Sequence, residues 1–101
     1  MACRYVFLES AKEELDEEAA YLMEETGSKR IVGDFLESIQ RAIDITCEFP
    51  TMHAVSRMPE LAELGYRVML AGSYVLLYAF EEDTVFIAHV FHQRQDYARL
   101  V

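Results

Sequence analysis

Residues that could transfer protons or hold a phosphate lie mostly in the last third of the chain. They include Arg67, His89, His92 and Arg94. Histidine has an ordinary pKa of about 6.5, so His92 can act as an acid or a base near neutral pH. Arginine holds phosphate through its charge and its fixed fork of N–H donors. Brought together in a fold, these side chains would suit proton transfer beside a phosphate.

Several other chemistries have no basis in the residue pattern. His89 and His92 are three residues apart on a predicted strand, which places them on opposite faces unless a bulge intervenes. No third ligand stands at a sensible spacing, so we expect no metal site. The sequence also contains no glycine-rich phosphate loop, no Ser/His/Asp order and no setting that would activate a cysteine. We therefore expect no cofactor.

The cysteine content and the start of the chain indicate where the protein resides. Cys3 and Cys47 are too few for a disulfide scaffold and lie in apolar surroundings, so we expect reduced core thiols in a cytoplasmic protein. The N-terminal stretch lacks a basic leader and a cleavage site, so we expect no secretory signal. No apolar run approaches the ~18–20 residues of a membrane span, and we expect no membrane partner.

The chain is acidic, and one segment holds most of the excess charge. The 101 residues carry a net charge of −9 and have room for one domain, 1–101. Residues 9–25 hold eight acids against Lys12, which makes that segment −7 and the remainder −2. This balance argues against broad, non-specific nucleic-acid binding. A solvated helix face is the simplest interpretation of the acidic segment.

The first half of the chain predicts one strand and two helices. Cys3 to Leu8 is rich in strand formers. Ser10 and Glu13 match a capping box, and apolar residues then recur at helical spacing until Gly27 ends the first helix. Ser28 can cap a second helix, which Pro50 stops. A connection this short should pack the two helices as an antiparallel hairpin.

The second half predicts three strands after an irregular stretch. The strands are expected over 64–70, 73–80 and 84–92, joined by tight turns. The middle strand is apolar at nearly every position and should be central, covered on both faces. We therefore predict an α+β fold in the order β-α-α-β-β-β, with the helical hairpin on one face of a small, mostly antiparallel sheet.

Three stretches of this sequence are similar to the RelE/ParE superfamily, the toxins of type II toxin–antitoxin pairs. They are Phe35 to Ile43 with Phe49-Pro50, then Gly65-Tyr66-Arg67 with Tyr74 to Tyr78, and finally His92-Gln-Arg94-Gln-Asp96-Tyr97. The resemblance spans nearly the whole chain, and the last stretch looks more like the ParE branch. It implies a small cytoplasmic α+β toxin that inhibits growth, contributes to plasmid stabilisation and is held inactive by a cognate antitoxin.

The resemblance leaves two targets open. RelE-like members cut messenger RNA on the ribosome with Arg, Lys, sometimes His, and a C-terminal Tyr. On that branch the catalytic set would be Arg67, His92, Arg94 and Tyr97. RelE-like toxins also carry lysines before the Gly-Tyr-Arg strand, whereas residues 51–66 contain none. Gripping RNA requires several phosphate contacts, and this chain offers few.

ParE-like members poison DNA gyrase, which needs a complementary surface and no catalytic group. The resemblance therefore favours a ParE-like gyrase inhibitor that is not an enzyme. Its target-binding residues would be Arg57, Arg67, His92, Arg94, Tyr97 and Arg99. Tyr97 would serve as an aromatic anchor. An inert family member that acts only as a binding partner is a third alternative.

The same residues also have purely structural interpretations. Arg67 could pair with Glu63 or Asp96, and Arg94 could pair with Asp96. Tyr66, Tyr74 and Tyr78 are expected to pack in or around the core. Family toxins are usually basic, so the antitoxin of this acidic chain should dock through apolar contacts or bring basic residues to the first helix. The sequence leaves open whether the toxin forms a homodimer or a larger toxin–antitoxin assembly.

Overall fold

The computed structural model describes residues 4–50 and 65–93. In chain order these residues form β1 (Arg4–Phe7), α1 (Glu9–Thr26), α2 (Lys29–Glu48), β2 (Arg67–Ala71), β3 (Tyr74–Glu81) and β4 (Thr84–His92). The strands make one sheet in the order β1-β4-β3-β2, with β1 parallel to β4 and the other pairs antiparallel. The predicted α+β fold and element order are confirmed.

The helical hairpin covers one face of the sheet. The core between the two layers joins Phe35, Ile39 and Ile43 of α2 to sheet residues that include Met69 and Leu76. A second, smaller cluster lies on the other face of the sheet, where Val75, Leu77 and Phe91 are buried. β3 thus has buried side chains on both faces, as its unbroken apolar sequence predicts.

The connection between the helices follows the sequence signals. Gly27 adopts a left-handed conformation with φ of 62° and donates its N–H to the carbonyl of Met23 at 2.8 Å. The Ser28 Oγ accepts the N–H of Ile31 at 3.2 Å and caps α2. Both predicted caps are confirmed, and α2 ends two residues before Pro50. Neither helix in the described ranges has the length and apolarity to cross a membrane.

The capping box predicted at Ser10 is wrong. α1 begins at Glu9 without a side-chain cap, and Ser10 Oγ instead donates to the carbonyl oxygen of Ala88 at 2.7 Å. The reason lies in the unequal lengths of the paired strands. β1 ends at Phe7 while β4 continues, so the backbone of β4 beyond Ile87 would otherwise be unpaired on that side.

Glu14 completes this edge of β4 one turn later in α1. Its Oε1 accepts the backbone N–H of Val90 at 3.0 Å, and its Oε2 lies 3.0 Å from Nδ1 of His89. The side chains of α1 therefore continue the hydrogen bonding that β1 begins. This arrangement also covers an edge that would invite pairing with another chain.

Two local details of the sheet differ from a regular ladder. β2 begins at Arg67 rather than at the predicted residue 64, because Gly65 turns the chain with φ of 75°. Leu77 faces His89 while Tyr78 faces Ile87, so Ala88 is an extra residue in β4. The result is a β-bulge, and it lies where Ser10 contacts the strand.

The cysteine prediction is wrong for Cys47, which is disulfide-bonded in the structure. Cys3 lies outside the described residues. The number of cysteines in a sequence does not reveal whether the fold brings two of them together, and the prediction used number and surroundings alone. Cysteine usage therefore does not support a reducing compartment for this protein.

We predict that Glu14→Ala will destabilise the fold by about 1–3 kcal/mol, because it leaves the Val90 N–H and the His89 ring without their acceptor. Urea unfolding would measure the loss, and the Val90 amide should exchange its hydrogen faster. The matched control is Glu13→Ala, which removes an exposed carboxylate from the same turn. Equal stability of the two variants would contradict the role given to Glu14.

Candidate functional site

The structure describes two of the predicted site residues, Arg67 and His92. Arg57, Arg94, Tyr97 and Arg99 lie outside the described residues, as do the proposed partners Glu63 and Asp96. The geometry therefore bears on how Arg67 and His92 are held and whether they share a site. The roles of the other four residues stay predictions.

Arg67 begins β2 and lies beside Tyr78. Alternation along the strand places Arg67 on the same face as the buried Met69, which is the face under the helices. Tyr78 is its partner on β3, and the Tyr78 hydroxyl donates to the carbonyl oxygen of Pro50 at 2.9 Å. Burial raises the pKa of Tyr78, and the positive charge of Arg67 acts to lower it. Arg67 is thus close to the C-terminal end of α2.

His92 ends β4 and packs against Tyr74. The two residues are register partners, and their rings meet nearly at right angles with centroids 5.3 Å apart. The Tyr74 hydroxyl donates to Oε1 of Glu18 on α1 at 2.7 Å, and the Phe35 ring lies 4.6 Å from the Tyr74 ring. We call Glu18, Phe35, Tyr74 and His92 the Tyr74 cluster.

Arg67 and His92 share a face of the sheet but not a site. Their partners on β3 are four residues apart, and they lie on the two strands that flank β3. Strand geometry then separates their Cα atoms by about 16 Å. The fully buried Leu76 and Met69 lie between them and pack against the helices. The described structure therefore does not bring this pair together.

His89 and His92 lie on opposite faces of β4, as the regular pleat predicts. The bulge at Ala88 precedes both histidines and leaves the alternation between them intact. His89 contacts Glu14, stacks on Phe91 at 5.2 Å and meets the Tyr66 ring edge-on at 6.3 Å. Within the ranges 4–50 and 65–93, no three His, Cys, Asp or Glu side chains group closely enough to hold a metal ion.

The sequence analysis missed Glu14 and Glu18 as partners of the sheet. It assigned the acids of the first helix to a solvated face, and that interpretation fails for these two, which are half-buried. One signal was present for Glu18. The apolar stripe Ala11, Leu15, Leu22 leaves a position at residue 18, and an acid there must face the sheet. Tyr74 and Tyr78 pack in the core as predicted, and each also donates a hydrogen bond.

The Tyr74 cluster predicts a dependence of stability on alkaline pH. Burial, and then the hydrogen bond to Glu18 and its charge, raise the pKa of Tyr74. The fold therefore favours the neutral phenol. This contribution is complete below the unfolded-state pKa of about 10 and is lost as the pH rises above it. Tyr74→Phe should lower the free energy of unfolding by about 1 kcal/mol at pH 7 and by less than that above pH ~10.

Urea unfolding of both proteins across this pH range would measure the difference. Tyr5→Phe is the control, because the Tyr5 hydroxyl is exposed and its contact with Gln40 is long, at 3.4 Å. If the difference in unfolding free energy between wild type and Tyr74→Phe does not change with pH, the ionisation of Tyr74 is not coupled to folding, which would contradict this prediction.

Comparison with known proteins identifies the family. The family model described as ParE toxin of type II toxin-antitoxin system, parDE, matches residues 5–97. No curated protein matches the chain. A chain of the RelBE2 toxin–antitoxin complex from Mycobacterium tuberculosis superimposes with a TM-score of 0.63 at 22% identity, covering 91% of this chain and 99% of that one.

A chain of the chromosomal ParDE toxin–antitoxin system from P. aeruginosa superimposes with a TM-score of 0.65 at 13% identity, covering 89% of this chain and 95% of that one. At these identities the structural similarity establishes the fold alone. The family match covers nearly the whole sequence. The chain therefore belongs to the ParE family of toxins of type II toxin–antitoxin systems.

Proposed function

We propose that this toxin inhibits bacterial growth by binding DNA gyrase, without catalysing a reaction of its own, and that a cognate antitoxin neutralises it. The family match supports the toxin role. The observation that carries the choice of target is the separation of Arg67 from His92. The proposal places the toxin in the cytoplasm, where gyrase acts.

A ribonuclease must converge its groups on one phosphate. The base and the acid must come within hydrogen-bond reach of the atoms that exchange protons, and a cation must meet the same phosphate. Arg67 and His92 are the two described members of the predicted catalytic set, and packed core lies between them. Contact residues of a protein-binding toxin do not have to converge. The geometry therefore favours an inhibitor that works through its surface.

Two of the three cations of α2 also do not favour RNA binding. Arg41 lies 2.8 Å from Glu37, and Arg30 lies 4.0 Å from Asp34, each one turn away on the same helix. These pairs reduce the positive charge that α2 presents to a phosphate backbone. Affinity for RNA on the ribosome would depend on several such contacts.

An antitoxin partner agrees with the solved structures that share the fold, which come from toxin–antitoxin complexes. The surface also supplies apolar contacts for a partner. Phe49 and Leu70 are each 60% exposed, and β1 and β2 are edge strands. A partner segment that adds a helix or a strand to such a surface would bury them.

Controlled expression in a bacterial host would test the target. Growth arrest with gyrase-dependent DNA breaks and intact messenger RNA is the expected result. Arrest with truncated messenger RNA and intact DNA would overturn the proposal in favour of the ribonuclease. Absence of arrest at confirmed soluble expression would indicate an inert family member or a target that this host lacks.

We predict that Arg67→Ala weakens gyrase inhibition about tenfold, which corresponds to the ~1.4 kcal/mol that an interface arginine commonly contributes. Purified gyrase and toxin would give the inhibitory concentration. Arg30→Ala is the matched control, since it removes an exposed arginine from α2. Arg67→Lys tests whether charge alone suffices, and unfolding midpoints would show whether each variant is folded. Equal inhibition by folded Arg67→Ala and Arg30→Ala would remove Arg67 from the contact surface.

A further inference from the structure

Glu18 carries a half-buried negative charge that the described part of the chain does not balance. Its contact there is the neutral hydroxyl of Tyr74 on Oε1. In the ranges 4–50 and 65–93, no Lys, Arg or His lies within ion-pair distance of its carboxylate. A partly desolvated carboxylate with unused lone pairs is unfavourable unless a cation approaches it.

A second carboxylate strengthens the negative potential at this place. Glu14 lies one turn before Glu18 on the same side of α1, and like charges at this spacing repel each other. Glu14 is occupied by the Val90 amide and the His89 ring. Among residues 4–50 and 65–93, Glu18 accepts one hydrogen bond, from the Tyr74 hydroxyl. Of the two, it is the carboxylate that can still accept hydrogen bonds from a ligand.

One aromatic side chain contacts the Glu18 carboxylate, and two others lie near that aromatic residue. The hydroxyl of Tyr74, on the sheet, donates to this carboxylate, and the His92 ring packs nearly at right angles to the Tyr74 ring. Tyr21 follows Glu18 by one turn, is 55% exposed and lies close enough to raise the pKa of Tyr74 through its charge. Aromatic faces beside a carboxylate attract a planar organic cation. The groups of three metal ligands that would suit a metal ion are absent from the described ranges.

We propose that Glu18, Tyr21, Tyr74 and His92 form a binding site for one arginine side chain of the antitoxin. We call it the Glu18 site. This inference deepens the proposed function and rests on the antitoxin partner stated there. An arginine suits the site better than a lysine, because its planar guanidinium can donate to Oε2 of Glu18 and stack on an aromatic ring at the same time.

The proposal also accounts for the unusual charge of the chain. A net charge of −9 favours a partner segment that is basic where it meets α1. Glu13, Asp16 and Glu17 are exposed and would attract such a segment without orienting it. Glu18 would fix one arginine in a defined position, because it is partly desolvated and already oriented by Tyr74.

The test uses the full chain and N-acetyl-arginine N-methylamide as the probe, followed by NMR. The aromatic resonances of Tyr21, Tyr74 and His92 should shift in a saturable way, with a dissociation constant in the millimolar range, typical of a single side chain. The citrulline analogue, which has the same shape without the charge, should bind at least about tenfold more weakly.

Two variants with the same change in net charge separate the site from general attraction. Glu18→Gln keeps an acceptor for the Tyr74 hydroxyl, and it should bind the arginine probe about tenfold more weakly than wild type does. Glu17→Gln, one residue away and exposed, should bind as wild type does. Equal binding of arginine and citrulline, or equal loss in the two variants, would overturn the site, as would the absence of saturable shifts.

Growth arrest, measured separately with wild type and Glu18→Gln, keeps the two proposals apart. Because Glu18 is assigned to the antitoxin and not to gyrase, both proteins should arrest growth when the antitoxin is absent. Arrest without probe binding would sink the Glu18 site and leave the proposed function standing. Probe binding without growth arrest would support the Glu18 site and overturn the proposed function.

Discussion

The structure depends on how the backbone of β4 is satisfied along its outer edge. β1 pairs with β4 only as far as Ile87, and the remainder of β4 has no strand on that side among the described elements. Ser10 and Glu14 of α1 bond to Ala88 and Val90 there. Polar backbone groups in a packed interior must be paired, so this requirement sets where α1 lies against the sheet.

The position of α1 in turn determines the surroundings of the candidate site. With Glu14 held on β4, Glu18 faces the end of the sheet and accepts the Tyr74 hydroxyl. Tyr74 also packs against the Phe35 ring of α2 and lies nearly at right angles to the His92 ring. The need to pair the backbone of β4 thus positions α1 so that the half-buried carboxylate of Glu18 lies beside Tyr74.

The core residues on the helix-facing side of the sheet also bear on the proposed activity. Met69, Leu76 and Tyr78 are fully buried and occupy the region between Arg67 and His92. Among the described residues, the core thus keeps the two polar candidates apart, which fits the proposed role of contacting a protein target. The acidic α1 agrees with this interpretation, because charge complementarity orients and accelerates protein association more than it adds affinity.

The sequence by itself determined the order of elements, both caps of the helical connection and the central place of β3. These features depend on local causes: the freedom of Gly27 to adopt a positive φ, the hydroxyl of Ser28 and the unbroken apolar run of β3. The family resemblance likewise came from residues adjacent in sequence, and the family match confirmed it.

Only the tertiary structure decided the partners of Ser10, Glu14 and Glu18, the disulfide of Cys47 and the face occupied by His92. Ser10 satisfied the local pattern of a helix cap, yet its hydroxyl donates to the carbonyl oxygen of Ala88, 78 residues away. Such outcomes depend on which strand ends first and where the bulge falls. These are differences in length and register between segments distant in sequence, and no local pattern encodes them.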